Sequence, residues 1–126
     1  MRSIPEISVI ICSYNRADYI TGAIESLYNQ TLDKNRFEIL VIDNNSIDDT
    51  GELVQNYMSN HPGFELHYLT ESRQGASFAR NTGAAFAKSP LLCFMDDDAT
   101  AETHYLERIL NFFSSHPDAA GLGGRI

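Results

Sequence analysis

A doubly wound α/β domain with a mainly parallel sheet is what this sequence predicts, on three observations. Short β-branched apolar runs alternate with amphipathic stretches in the order βαβαβαβα, and such alternation builds a parallel sheet covered by helices through right-handed crossovers. No repeat, low-complexity tract or internal linker interrupts the order. The 126 residues, 43% of them hydrophobic, suffice for one domain over residues 1–126 that buries about two-thirds of its unfolded surface.

The elements follow in chain order. Ile7-Ser8-Val9-Ile10-Ile11-Cys12 has the dense β-branched character of a strand buried on both faces. Ile20, Ala23, Ile24, Leu27 and Tyr28 then recur at the i, i+3, i+4, i+7, i+8 spacing of an amphipathic helix. Phe37-Glu38-Ile39-Leu40-Val41-Ile42 is a second buried strand. Leu53, Val54, Tyr57 and Met58 mark a second helix, entered through Ser46 and Asp48-Asp49 as cap and dipole partners and stopped at Asn60-His61-Pro62-Gly63. Phe64-Glu65-Leu66-His67-Tyr68-Leu69 alternates, as a strand nearer an edge does. A third helix is expected from about Gly75 to Lys88 with Phe78, Ala79, Ala85 and Phe86 inward. Leu91-Leu92-Cys93-Phe94-Met95 reads as another strand buried on both faces. The last helix runs from about Glu102 to Ser115, with Leu106, Ile109, Leu110 and Phe113 inward, and ends at His116-Pro117-Asp118.

Composition narrows the function. Nine Lys and Arg against 17 Asp and Glu give a net charge of -8, which argues against a nucleic-acid polymer or an anionic membrane as main partner. No apolar run approaches the roughly 18 residues of a membrane span. Met1-Arg2-Ser3-Ile4-Pro5-Glu6 lacks the features of a secretory signal, so a cytoplasmic protein is expected. Membrane association through further segments is not encoded here. Cys12 and Cys93 have neither metal-ligand spacing nor the density of a disulfide scaffold, and read as reduced, buried thiols.

In open sheets of this class ligands bind outside the carboxyl ends of the strands. Those ends carry Ser13-Tyr14-Asn15-Arg16, Asp43-Asn44-Asn45-Ser46, Thr70-Glu71-Ser72-Arg73-Gln74-Gly75 and Asp96-Asp97-Asp98. Three successive aspartates after an apolar strand repel one another unless a cation offsets them. Mg²⁺ or Mn²⁺, which takes one or two carboxylates and completes its shell with water and phosphate, is the natural partner. A solvated acidic turn capping the next helix is the plainer alternative. The first turn has neither a dinucleotide glycine fingerprint nor a P-loop. It offers instead the Tyr14 ring to a base, and Ser13, Asn15 and Arg16 as hydrogen-bonding groups.

Taken in order, Val9-Ile10-Ile11-Cys12-Ser13-Tyr14-Asn15-Arg16, Val41 to Thr50, Gly75-Ala76-Ser77-Phe78-Ala79-Arg80-Asn81-Thr82-Gly83 and Phe94-Met95-Asp96-Asp97-Asp98 resemble the nucleotide-sugar half of a family 2 glycosyltransferase with the GT-A fold. The resemblance spans roughly residues 7–126. It implies an inverting transferase that takes a nucleoside diphosphate sugar, most often UDP-linked, with Mn²⁺ or Mg²⁺, and passes the sugar to a glycan, lipid or protein acceptor, in the service of cell-surface polysaccharide synthesis.

Carried over residue by residue, the resemblance gives Ser13 and Tyr14 to the base, Arg16 to base, ribose or phosphate, and Asp43 or Asn44 to a hydrogen bond with the base. Many relatives carry two acids where this chain has Asp43-Asn44, the second being the usual base reader. The segment from Gly75 to Asn81 would line the nucleotide and sugar side, with Arg80 pairing a carboxylate or phosphate, and Asp97 would belong to the nucleotide-sugar site. Asp96 would meet the ribose or the metal shell, and Asp98 would ligate the metal. The implied strand order also makes the first and fourth strands neighbours, so Cys12 and Cys93 are expected close together. Family members continue past this length into an acceptor-binding half that supplies the catalytic base, and Gly121-Leu122-Gly123-Gly124-Arg125-Ile126 resembles the start of the strand leading there. The expectation is therefore a donor-binding domain truncated before its acceptor half. Alternatives are a module that binds nucleotide without transfer, a phosphoacceptor or other α/β phosphate enzyme, and a nucleotidyltransferase. The second would place an acid after the first strand, and the third a glycine-rich basic loop.

Overall fold

The computed structural model describes residues 4–119 and 121. Four strands and four helices alternate, as expected: β1 (Ile7–Ser13), α1 (Ile20–Tyr28), β2 (Phe37–Asp43), α2 (Thr50–Asn60), β3 (Leu66–Thr70), α3 (Ala76–Phe86), β4 (Leu91–Asp96) and α4 (Tyr105–Ser115). A 3₁₀ turn over Lys34–Arg36, unanticipated, leads into β2. The segment Gly121 to Ile126, expected to open a further strand, lies outside the described residues apart from Gly121.

The sheet is parallel with order β3-β2-β1-β4. The chain winds outward from β1 to β3 and then returns to lay β4 on the other side of β1, so the strand order reverses beside β1. That reversal opens the crevice in which this class of sheet holds ligands. Register places Ser13 beside Asp43 and Cys12 beside Asp96. All seven residues of β2 are buried, as are six of the seven in β1. β-branched side chains fit such a two-sided surface.

One face of the sheet packs Ile7, Val9, Ile11, Ile39, Val41, Cys93 and Met95 against Ile20, Ala23, Ile24 and Leu27 of α1, Val54 of α2 and Leu106 of α4. Gln30, just after α1, ties that layer together. Its amide donates to the Glu102 carbonyl (2.6 Å) and accepts from Leu106 N (2.9 Å). On the other face Ile10, Leu40 and Ile42 pack against Ala79 of α3. Two polar strand residues also sit on that face, where the Ser8 hydroxyl and Lys88 N donate to the buried Glu38 carboxylate at 2.6 and 2.8 Å.

Three expectations are corrected. First, α3 does not turn Phe78, Ala85 or Phe86 inward; they are exposed, and the helix meets the sheet through Ala79 and Gly83. Bulky side chains on that face would hold the helix off the sheet. Second, β4 is an edge strand with one covered face: Cys93 and Met95 are buried, whereas Leu92 and Phe94 remain 42% and 47% exposed. Third, β1 and β4 are neighbours, but register pairs Cys93 with Val9, three residues from Cys12. The odd offset puts the two thiols on opposite faces of the sheet, and both are free. No helix among the described residues is long and apolar enough to cross a membrane.

The approach of α3 to the sheet is limited at one point. A methyl group built on Gly83 would lie 2.5 Å from Cγ2 of Ile10, a fully buried neighbour. Gly83→Ala should therefore destabilise the fold by about 1–2 kcal/mol in urea unfolding. Overpacking costs roughly 1–3 kcal/mol, and the better helix propensity of alanine returns up to about 1. An unchanged or higher midpoint would show that α3 does not seat this closely.

Candidate functional site

The rim at the carboxyl ends of the strands is held by side chains that bond backbone. After β1, Asn15 adopts φ 51° and after β2 Asn45 adopts φ 67°, left-handed conformations that asparagine tolerates better than most residues. The two turns then interlock. Asn15 N donates to Ser46 Oγ (2.9 Å), Arg16 N to Thr50 Oγ1 (3.0 Å) and Ala17 N to Asp48 (3.1 Å), while Ile47 N donates to Asn15 Oδ1 (2.9 Å). Ser46 thus bonds the first turn and makes no cap for α2, contrary to expectation. Asp48 does serve that helix, accepting from Thr50 N and Oγ1. The Thr50 hydroxyl leads the bonds that hold its carboxyl below the usual range.

The three aspartates at the end of β4 do not face the same way: Asp96 closes the strand, and Asp97-Asp98 form a turn closed by the bond from Ala99 N to the Asp96 carbonyl. Asp97 turns inward, 9% exposed, and accepts from Arg16 Nε at 3.2 Å and from Tyr14 N at 3.4 Å. It therefore ties the turn after β1 to the end of β4. Asp96 and Asp98 turn outward and are exposed. Among the described residues no group of three or more His, Cys, Asp or Glu is placed to hold a metal.

Between them runs the segment from Glu71 to Gly75. Asp43 accepts from Ser46 N (2.9 Å) and from the Tyr68 hydroxyl (2.5 Å). Burial, then that bond, push the Tyr68 phenol up to about 12. Asn44 donates to the Glu71 and Arg73 carbonyls and accepts from Gly75 N. Asn45 donates to the Ser72 carbonyl (2.7 Å). Glu71 itself is buried and accepts from Arg73 N, Nε and a terminal guanidinium nitrogen, and from Thr82 Oγ1. The Arg73 guanidinium lies 4.7 Å over the ring of the outward-facing Phe78.

These turns enclose a cleft of about 280 Å³. Of the sequence candidates, Ser13, Tyr14, Arg16, Asn44, Gly75 and Asp97 line it, whereas Asp43, Arg80, Asp96 and Asp98 do not. Ala76 and Ala79, inside the segment expected to line the site, and Cys12 and Gln74, not among the candidate site residues, complete the wall. Cys12 brings a small side chain to the end of β1, a signal too common to find alone. The Ser13 hydroxyl is the anomaly, because Oγ is buried with no hydrogen-bond partner on a residue only 2% exposed. Burial pushes the Cys12 thiol up, and Arg80, near enough to act on it, pulls it partly back. A larger groove of about 570 Å³ between Glu6, Arg36 and α4 lies at the opposite end of the sheet and holds none of these residues.

The Glu71 carboxylate is held at about 2, below its ordinary 4.5, first by Arg73 and then by Thr82. Because the folded value is lowered, the carboxylate stabilises its segment fully above about pH 4.5, and the contribution is lost as pH falls toward about 2. Glu71→Gln should flatten the pH dependence of unfolding free energy across that window. Identical curves for both proteins would contradict it.

Comparisons with known proteins agree with this architecture. The family model Glycosyl transferase family 2 matches residues 8–126. The glycosyltransferase AglE of Haloferax volcanii is 34% identical over 106 residues, covering 84% of this chain and 34% of AglE. The minor teichoic acid biosynthesis protein GgaB of Bacillus subtilis is 32% identical over 111 residues, 88% of this chain and 12% of GgaB. Among solved structures, S. aureus TarS 1–349 in complex with UDP superposes with a TM-score of 0.82 at 26% identity, over 96% of this chain and 38% of that one. The mannosyltransferase PcManGT from Pyrobaculum calidifontis, in complex with GDP-Man and Mn²⁺, gives 0.73 at 29% identity over 78% of this chain and 29% of that one. The chain thus spans about a third of AglE and less of GgaB. With the GT-A architecture expected from the sequence, it belongs to glycosyl transferase family 2.

Proposed function

We propose that these residues are the donor-binding part of a glycosyltransferase that takes a nucleoside diphosphate sugar, UDP-linked in preference to others, for inverting transfer to a glycan, lipid or protein acceptor. The observation that carries the reading is the rim cleft that Ser13, Tyr14, Arg16, Asn44, Gly75 and Asp97 line together. UDP and UDP-GlcNAc bound to TarS, which resembles this chain, support the choice of ligand.

In this reading the half-exposed Tyr14 ring packs on the base and Ser13 Oγ bonds the nucleoside. Arg16, anchored to Asp97 through Nε, offers its terminal nitrogens to ribose or phosphate. Arg80 faces the sugar or phosphate from α3, and Gly75 brings the backbone at the head of that helix close to the nucleotide. Asp97 acts within the donor site by fixing Arg16 and the Tyr14 backbone. The donor set at Asp96 and Asp98, two outward carboxylates with room for water and phosphate, fits Mg²⁺ or Mn²⁺. When bound, such an ion neutralises the diphosphate and favours its departure.

Inversion also needs an acceptor hydroxyl in line with the anomeric carbon and a base to take its proton. Around the cleft, Asp43, Glu71 and Asp97 are already hydrogen-bonded, and Asp96 and Asp98 are assigned to the cation. We place the base beyond residue 126. Residues 1–126 then form one donor-binding domain of a cytoplasmic enzyme of polysaccharide synthesis.

UDP should bind with Mn²⁺ or Mg²⁺ and far more weakly with chelator or in Asp98→Ala, as read by calorimetry; equal affinity in all three conditions would remove the cation from the site. Tyr14→Ala should weaken UDP by about 1–3 kcal/mol, the range for a lost base–aromatic stack. With Mn²⁺ and acceptor present, residues 1–126 should bind donor without transferring sugar, hydrolysing it only slowly. Turnover equal to that of a longer protein carrying an acceptor half would locate the base within these residues.

A further inference from the structure

We infer that Asn44 is a positioning residue that clamps the 71–75 segment into the wall of the cleft and does not itself read the base. The inference rests on the nucleotide-binding reading and asks what one wall residue does within it. The resemblance would give position 44 to base recognition. The hydrogen-bond inventory of the side chain points elsewhere.

A carboxamide has two N–H donors and one acceptor oxygen. Both donors of Asn44 are engaged, at 2.8 Å to the Glu71 carbonyl and 2.8 Å to the Arg73 carbonyl. Oδ1 accepts from Gly75 N at 2.9 Å, with Gln74 Nε2 at 3.5 Å. The residue is 5% exposed. The network also fixes the orientation of the amide, since a flipped group would set its oxygen against two carbonyls and its NH₂ against an amide N–H. The backbone of Asn44 adds a bond from its N to the Ser13 carbonyl (2.9 Å) and one to its carbonyl from Gln74 Nε2 (3.3 Å). One residue thereby joins the turn after β1 to the loop after β3. Gln74, Gly75 and Ala76, which that loop presents, are wall residues of the cleft, and Gly75 holds φ 136°, open to glycine and strained for others.

Clamp and base reader respond oppositely to Asn44→Asp. A base reader at this position gains, because a base N–H donates more strongly to a carboxylate than to an amide oxygen. A clamp fails, because an ionised carboxylate has no donor and places an oxygen against two carbonyls. Protonation returns one donor, so the failure eases in acid. The charged groups around position 44 are Asp43 behind it, Glu71 with Arg73 on the loop, and Asp97 with Arg16 across the cleft. All are present in the parent, which serves as the control at each pH.

The experiment has two arms. Amide hydrogen exchange on nucleotide-free protein should show Asn44→Asp accelerating the 71–75 segment, while β1 and β4 keep parental protection. Calorimetry with Mn²⁺ should show UDP affinity falling by about tenfold or more near pH 7.5, as expected for two lost hydrogen bonds. The deficit relative to parent should narrow near pH 5, and the UDP to CDP preference should stay unchanged. Unaltered exchange across residues 71–75 overturns the clamp whether or not nucleotide binds. Equal or tighter UDP binding by the variant near neutrality, or a changed UDP to CDP ratio, overturns it in favour of base reading. If the parent binds no UDP, the nucleotide reading fails, and the exchange arm still decides the clamp.

Discussion

Everything at the rim depends on the pairing of β1 with both β2 and β4 in one register. Ile7 lies level with Phe37 on one side and with Leu91 on the other, so β1 and β2 end level at Ser13 and Asp43, and β4 ends one residue short of them at Asp96. Because β1 and β2 are buried almost throughout, a slip of one residue would move every Ile and Val to the wrong face and would be strongly opposed. The apolar strands therefore set the distance between the polar turns. Core packing and site geometry are one constraint on this chain.

The turns themselves are short of regular backbone bonds, and side chains replace them. Ser46, Asp48 and Thr50 accept the three successive amides of Asn15, Arg16 and Ala17. Asp43, Glu71 and Asp97 accept others. Side chains of this kind favour turns because they bond nearby backbone. Part of the acidic excess behind the charge of -8 is thus internal scaffolding. Asp96 and Asp98 stand apart, since neither carboxylate is consumed in holding the rim.

Element order, class and the convergence of four polar turns were legible because each rests on a local signal: apolar period, capping chemistry, position after a strand. What was not legible depends on neighbours distant in sequence. The helical wheel of α3 offers Phe78 and Phe86 as an apolar face, yet Gly83 sits so near Ile10 that the small-residue face must be the inner one. β4 is as apolar as β1, and only the strand order reveals that α3 lies over β1 and β2 and leaves Leu92 and Phe94 uncovered. The distance between Cys12 and Cys93 likewise depends on a register no composition encodes.

The candidate site shows the same division at finer scale. Motif residues are recognised together, but the fold separates those that face the cleft from those that hold it open. In Asp96-Asp97-Asp98 the separation follows from the turn: Asp96 closes the strand, and the turn over Asp97-Asp98 sets the Asp97 carboxylate against Arg16 and the Tyr14 amide. In Asp43-Asn44 alternation does not decide it, because both residues are buried and both are fully engaged. There the chemistry of the partners decides. Two carbonyls require two donors, an amide supplies them and a carboxylate cannot. Position 44 therefore holds an amide for a reason internal to this chain, and its role follows from the atoms it faces.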